Sequence, residues 1–102
     1  MSAEQFIQIA KGKSAKAAFK AAVEQAEYDH GHSGYTGTIS EKEDFISIPL
    51  PKKGLKNLQE RAVREAERLF QTEDERIDDK WGPAGCIKAD KNTYVFFGWA
   101  ST

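Results

Sequence analysis

The segment from Tyr28 to Thr38 carries the side chains of this chain that are best suited to chemistry. Its eleven residues include three glycines, both histidines of the protein, two tyrosines and three hydroxyl side chains. Glycine lets the backbone approach a partner or adopt a positive φ, and imidazole, phenol and hydroxyl groups supply directed hydrogen bonds. The segment therefore predicts a binding loop. Its candidate contact residues are His30, His32, Ser33, Tyr35, Thr36 and Thr38.

A second glycine-containing loop with an aromatic residue runs from Lys80 to Gly85. Both loops precede predicted strands, so they can meet at one edge of a sheet and offer aromatic surfaces and backbone N–H groups to a ligand. Lys80 and Trp81 are its candidate contact residues, and Lys42 is a further source of charge. The competing interpretation is that the glycines satisfy turn geometry and the aromatic rings cover the core.

His30 and His32 are spaced as a pair that could share a metal ion, with Asp29 as a neighbouring carboxylate. A zinc site needs further ligands, and only Cys86, Glu41, Asp78 or Asp79 could supply them from elsewhere. In the alternative, His30 donates to the last carbonyls of the preceding helix, where the dipole favours a cation. Because the ligand set is incomplete, no metal site is predicted.

Other catalytic patterns are also incomplete. Ser33 lacks the glycine spacing of a nucleophile elbow, and the stretch from Lys11 to Ser14 lacks the upstream glycine of a P-loop, since Ile7 stands there. Cys86 opens an apolar strand and is better explained as a core residue than as a nucleophile. The sequence thus predicts neither catalytic residues nor a cofactor. A small metal-assisted or histidine-dependent hydrolase, using His30 or His32, is the alternative.

Composition narrows the class of protein. A length of 102 residues predicts one domain, 1–102, and a net charge of −1 gives no overall attraction to nucleic acid or to an anionic membrane. The single cysteine and an N-terminus without the apolar core of a signal peptide favour a reducing cytoplasmic compartment. No apolar run approaches membrane-spanning length, so a soluble protein is expected.

Apolar periodicity predicts the secondary structure. A helix is expected from an N-cap at Ser14 to a C-terminal Gly31, and a second from Leu55, with Asn57 and Glu60 as a capping box. The last strand is apolar on both sides, which predicts a central strand covered at least in part on both faces. Strands are expected at 4–10, 37–42, 44–49, 86–87 and 93–99.

This order, βαββαββ, predicts an α+β fold: a two-layer sandwich with a mostly antiparallel sheet of about five strands and both helices on one face. Such a sheet has exposed edges, and these could pair between copies of the chain to form a homo-oligomer.

Three stretches resemble recurrent features of small uncharacterised proteins of bacteria and their phages. They are YDHGHSGYTGTISEK at 28–42, DDKWGPAGCI at 78–87 and FFGWAS at 96–101, about a third of the chain. The resemblance implies an accessory binding or inhibitory protein rather than a metabolic enzyme, and it brings no assigned fold or site. Together with the two loops, it predicts a non-enzymatic protein that recognises a protein partner or a phosphorylated small molecule such as a nucleotide.

Overall fold

The computed structural model describes residues 3–31, 36–50 and 57–102 of the chain. In these ranges it has four strands, two α-helices and one short 3-10 turn. In chain order they are β1 (Ala3–Lys11), α1 (Ala15–His30), the 3-10 turn (Ile39–Glu41), β2 (Phe45–Ser47), α2 (Leu58–Gln71), β3 (Ala84–Lys88) and β4 (Thr93–Ser101).

The four strands form one mixed sheet in the order β1-β4-β3-β2. β4 pairs antiparallel with β1 and β3, whereas β2 runs parallel to β3. The predicted α+β class is confirmed, but the prediction of about five mostly antiparallel strands was wrong in number and in order. Parallel neighbours need a crossover connection, and α2 supplies it between β2 and β3.

The strand predicted at 37–42 is instead the 3-10 turn. Gly37 has a φ of 71°, and the side chain of Thr38 caps the turn by accepting a hydrogen bond from the Ser40 N–H. Hydroxyl side chains that bond to nearby backbone compete with strand pairing, and here that local bonding prevails. Ile39, whose side chain motivated the strand, is the first residue of the turn and is buried.

The two helices pack on opposite faces of the sheet, so the predicted placement of both on one face was wrong. Successive residues of β4 belong to two different apolar clusters, one on each face of the sheet. Phe96 belongs to the cluster on the α1 side and Phe97 to the cluster on the α2 side. Both phenylalanines are fully buried. This confirms the prediction that the last strand is covered on both faces. A strand that is apolar on both sides needs cover from two layers, and one helix on each side provides it.

The α1 helix begins and ends as its sequence predicts. Ser14 accepts a hydrogen bond from the Ala17 N–H at 3.2 Å, and Gly31, with a φ of 86°, donates to the Glu27 carbonyl at 2.8 Å. Buried alanines bring the helix close to the sheet. Phe19 is its large anchor, and its ring centroid lies 5.1 Å from that of Phe45 and 5.4 Å from that of Phe96.

The α2 helix buries Leu69 and Phe70 against the opposite face of the sheet. The Phe70 ring packs edge-on against Phe97 and Trp99, with both centroid distances at 5.9 Å. The predicted capping box is absent: Asn57 has a left-handed backbone, and its side chain makes no capping hydrogen bond. Neither α1 nor α2, the helices of the described residues, is long and apolar enough to cross a membrane.

A substitution at Gly85 of β3 tests the packing of the sheet. A Cβ there would lie 2.6 Å from the Phe97 ring, which is closer than side chains tolerate. We expect Gly85→Ala to lower the free energy of unfolding by about 1–2 kcal/mol, because the ring must move within a filled core. Urea denaturation measures this loss. The control is Gly82→Ala, whose Cβ would be in ordinary contact at 3.4 Å. Equal stability of the two variants would contradict the prediction.

Candidate functional site

The buried ammonium group of Lys42 links the 36–42 segment, which continues the first predicted loop, to the turn at 79–82, which overlaps the second. Its Nζ donates to the carbonyls of Asp79, Lys80 and Gly82 at 3.3, 3.2 and 2.8 Å. An ammonium group has three donors, so these carbonyls use its full capacity. The residue is only 4% exposed. The 36–42 segment and the 79–82 turn are therefore held together by one side chain, although nearly forty residues of chain separate them.

Burial lowers the pKa of Lys42, because removal from water disfavours the ammonium form, and the carboxylate of Asp79 opposes this shift. The stem of Lys42 passes over Gly98 of β4, where the position of a Cβ would lie 3.7 Å from Lys42 Cε. A side chain at position 98 would therefore meet the lysine stem. Lys42 was expected to supply charge to a ligand, and in the structure its charge is used to hold the turn.

The 79–82 turn presents Trp81 to solvent. Asp79 stabilises the turn twice: its Oδ1 accepts from the Trp81 N–H at 2.9 Å and its carbonyl accepts from the Gly82 N–H at 3.0 Å. The Trp81 side chain is nevertheless 63% exposed. Lys80 Nζ lies 5.2 Å from the centre of the indole ring, within the range of a cation–π interaction. An aromatic ring is thus held outward on a turn of fixed geometry.

In the described part of the first loop, the hydroxyl groups of Thr36 and Thr38 are engaged within the protein. Thr36 donates from its backbone and its hydroxyl to Glu41 Oε2 at 3.0 and 2.9 Å. Its hydroxyl also lies 2.8 Å from that of Thr38 and 3.0 Å from that of Ser40. Gly37 donates to the Ser101 carbonyl at 2.8 Å, which attaches the loop to the end of β4. Thr36 and Thr38 therefore shape the loop instead of presenting free hydroxyls.

The remaining predicted site residues fall into two groups. His30 is the last residue of α1, and it is exposed. His32, Ser33 and Tyr35 lie outside the described residues. Of the predicted set, Thr36 and Thr38 share one cluster, Lys80 and Trp81 share one turn, and Lys42 connects the two. Sequence reasoning gave no role to Asp79 as the organiser of the turn, and an Asp in an acidic run carries no pattern that would reveal one.

An apolar groove of about 560 Å³ lies between α1 and the segment that follows the 3-10 turn. Phe19 and Val23 contribute apolar surface, and Lys42 and Glu43 form part of the opposite wall. Lys16, Lys20 and Glu24 are also among its lining residues. The groove adjoins the residue that holds the 79–82 turn, so apolar contact surface continues on the α1 side of Lys42.

Cys86 does not have the surroundings of a nucleophile. It is 3% exposed, and burial raises the pKa of its thiol to about 11 from an ordinary value of 9.0. In the described part of the chain, no group of three or more His, Cys, Asp or Glu side chains is placed to hold a metal ion. The pair of His30 with His32 falls partly outside that region.

The thiol of Cys86 is expected to react with iodoacetamide at least about a hundredfold more slowly than a free thiol at the same pH, because its thiolate fraction is lower by that factor. Mass spectrometry of the alkylated protein measures the rate. The same reaction in concentrated urea is the control, and it should proceed at the rate of a free thiol. Fast alkylation of the folded protein would show that Cys86 is accessible and ionised.

Comparison with known proteins yields no relative of this chain. It matches no protein-family model, and it shows no significant similarity to a curated protein sequence or to a solved structure.

Proposed function

We propose that this chain is a non-enzymatic binding protein that recognises a protein partner through the 79–82 turn. The observation that carries the proposal is Trp81, which is 63% exposed on a turn that the buried Lys42 holds in place. Tryptophan is one of the residue types enriched among those that dominate binding energy at protein interfaces, and a rigid support lowers the entropy lost on binding. The turn also lies in one of the stretches that resemble small bacterial and phage proteins, which favours an accessory role.

A protein partner is favoured over a phosphorylated small molecule. A phosphate site needs free cations and free hydrogen-bond donors. Here the hydroxyls of Thr36, Thr38 and Ser40 bond to one another, and the Glu41 carboxylate lies among them. The ammonium of Lys42 already donates to three carbonyls. A phosphate at the described part of this loop, from 36 to 42, would meet a carboxylate and occupied donors.

The charges around Trp81 favour a partner that presents basic side chains. Asp78 and Asp79 precede the indole in the chain and are exposed, and Glu43 and Asp44, also exposed, follow Lys42. The Asp44 carbonyl accepts from the Ala84 N–H at 3.0 Å, which places this second acidic pair beside the strand that follows the turn. Lys80 already lies beside the indole ring, so an Arg or Lys of the partner would pair with these carboxylates and not with the ring.

Site-specific crosslinking tests the proposal. A photoreactive benzophenone amino acid in place of Pro83, which is exposed beside Trp81, should give a discrete protein adduct in the cells that make this chain. The same group in place of Tyr28, an exposed aromatic residue of α1, is the control and should not give that adduct. Identical adducts from both positions, or no adduct at Pro83, would count against a recognition surface at the turn.

A further inference from the structure

The open edge of β1 has the geometry of an interface between two copies of the chain. β1 lies at the end of the sheet, and of the described strands only β4 pairs with it, over its full length of nine residues. The opposite edge is β2, which has three residues and is followed by Pro49. Proteins protect edges by making them short or by placing proline there, and β2 shows both devices. β1 contains no proline, and its register with β4 is uninterrupted.

The direction in which each β1 residue makes its backbone hydrogen bonds follows from the residue pairs at the two ends of the strand. Gly12 and Asn92 are the next pair after Lys11 and Thr93 in the register of β1 with β4. The Gly12 N–H donates to the Asn92 carbonyl at 3.0 Å, so this pair is a hydrogen-bonded one. Hydrogen-bonded and non-bonded pairs alternate along antiparallel strands. The even-numbered residues therefore bond to β4, and the odd-numbered ones direct N–H and C=O to the open edge. The carbonyls of Thr93 and Ser101, opposite Lys11 and Ala3, accept bonds from Ala89 and Gly37 instead, which agrees with this alternation.

The outward-directed residues are Ala3, Gln5, Ile7, Ile9 and Lys11, a set that is symmetric about Ile7. Two of them also leave apolar surface exposed on the α2 face: Ile7 is 37% and Ile9 40% exposed. A shallow groove of about 360 Å³ lies beside them, and its lining includes Gln5, Ile7 and Glu67 of α2. The edge thus combines unpaired backbone groups with adjoining apolar side chains.

We infer that two copies of this chain associate through β1 about a two-fold axis that passes beside Ile7. Antiparallel pairing then sets Ile7 against Ile7, Gln5 against Ile9 and Ala3 against Lys11 of the second copy. Every outward backbone group of β1 is paired in this register, and the two four-stranded sheets become one. Rotation about an axis normal to the sheet keeps each face on its own side. The exposed isoleucines of both copies therefore meet on the α2 face.

The charges suit a second copy of the chain. In this register, Lys11 of each copy lies opposite Ala3 of the other copy, on the α2 face. Glu67 of that other copy lies nearby, because it lines the same groove as Gln5, two residues after Ala3. Opposite charges are therefore brought to the same part of the interface, once on each side of the axis. The net charge of −1 opposes association only weakly. Because the short β2 edge ends the sheet at the other side, the assembly closes as a dimer instead of extending into a filament. This interface does not involve Trp81.

Charge substitutions at position 7 test the interface, because that residue faces its own copy across the axis. Light scattering of the natural chain, from about 1 µM to about 1 mM, should show a rise to twice the monomer mass. Ile7→Lys should raise the dissociation constant at least about a hundredfold, since two like charges are then opposed. A mixture of Ile7→Lys with Ile7→Glu should recover the dimer. Ile46→Lys is the matched control on β2, where the isoleucine is also 37% exposed, and it should leave the dimer intact.

Hydrogen exchange of the natural chain gives an independent measurement that needs no variant. The amides of Gln5, Ile7 and Ile9 should become protected at least about a hundredfold as the concentration passes through the dimer transition. Those of Phe6 and Gln8, which bond to β4, should be protected at every concentration. A chain that stays monomeric, a dimer that persists in Ile7→Lys, or outward amides whose exchange does not depend on concentration would each overturn the inference.

Discussion

Replacement of Trp81 by alanine is expected to weaken binding of the crosslinked partner by at least about a hundredfold. The indole is 63% exposed, and the turn beneath it is still held by Lys42 and Asp79 when the ring is removed. The loss should therefore come from the interface itself. Isothermal titration calorimetry with the purified partner measures it.

Tyr28→Ala is the matched control for this experiment. Tyr28 is 87% exposed near the C-terminal end of α1, so the substitution removes an exposed aromatic ring outside the 79–82 turn. Its affinity for the partner should equal that of the natural chain, and both variants should unfold at the same urea concentration as the natural chain. If Trp81→Ala binds as tightly as Tyr28→Ala, the partner does not use the turn.

Replacement of Lys42 by methionine is expected to lower the free energy of unfolding by roughly 2–4 kcal/mol. Methionine retains most of the apolar stem that passes over Gly98 but has no donors. The carbonyls of Asp79, Lys80 and Gly82 then lose their shared partner. The Asp79 carbonyl still accepts from the Gly82 N–H, but the carbonyls of Lys80 and Gly82 keep no such partner among the described residues, which is costly, and the turn should also become mobile. Urea denaturation measures the stability, and hydrogen exchange at Trp81 and Gly82 measures the mobility.

Lys20→Met is the matched control, since it makes the same chemical change at an exposed lysine of α1. It should change the free energy of unfolding by less than about 0.5 kcal/mol. Equal losses in the two variants would mean that the three hydrogen bonds of Lys42 contribute little to stability.

The pH dependence of Lys42→Met should differ from that of the natural chain in a defined direction. Burial lowers the pKa of Lys42 below 10.5, so in the window beneath that value the unfolded chain binds more protons than the folded chain. Stability contributed by this group therefore rises with pH in that window. The difference in free energy of unfolding between the natural chain and Lys42→Met should widen as the pH approaches 10.5. A constant difference would show that the pKa is not shifted.

Sequence periodicity was sufficient for the helices and the central strand. Ser14 and Gly31 lie at the two ends of α1, as predicted. These ends could be read from the sequence because capping depends on residues within one turn of the helix end. The alternation in β4 showed apolar surface on both faces, and both faces are buried. The 37–42 segment was misassigned because Ile39, a β-branched apolar residue between two hydroxyl residues, is typical of a strand. Local hydroxyl bonds, which periodicity does not register, turn it into a 3-10 turn.

The sequence by itself determined the α+β class, the helices and the two-sided central strand, because each follows from interactions between residues close in the chain. Only the tertiary structure decided which face each helix covers and that β2 runs parallel to β3. It also decided that the ammonium group of Lys42 donates to carbonyls nearly forty residues away. A lysine in a run of charged residues has the same local pattern whether it is solvated or buried. Its environment depends on which distant segment the fold brings to it, and no local pattern encodes that.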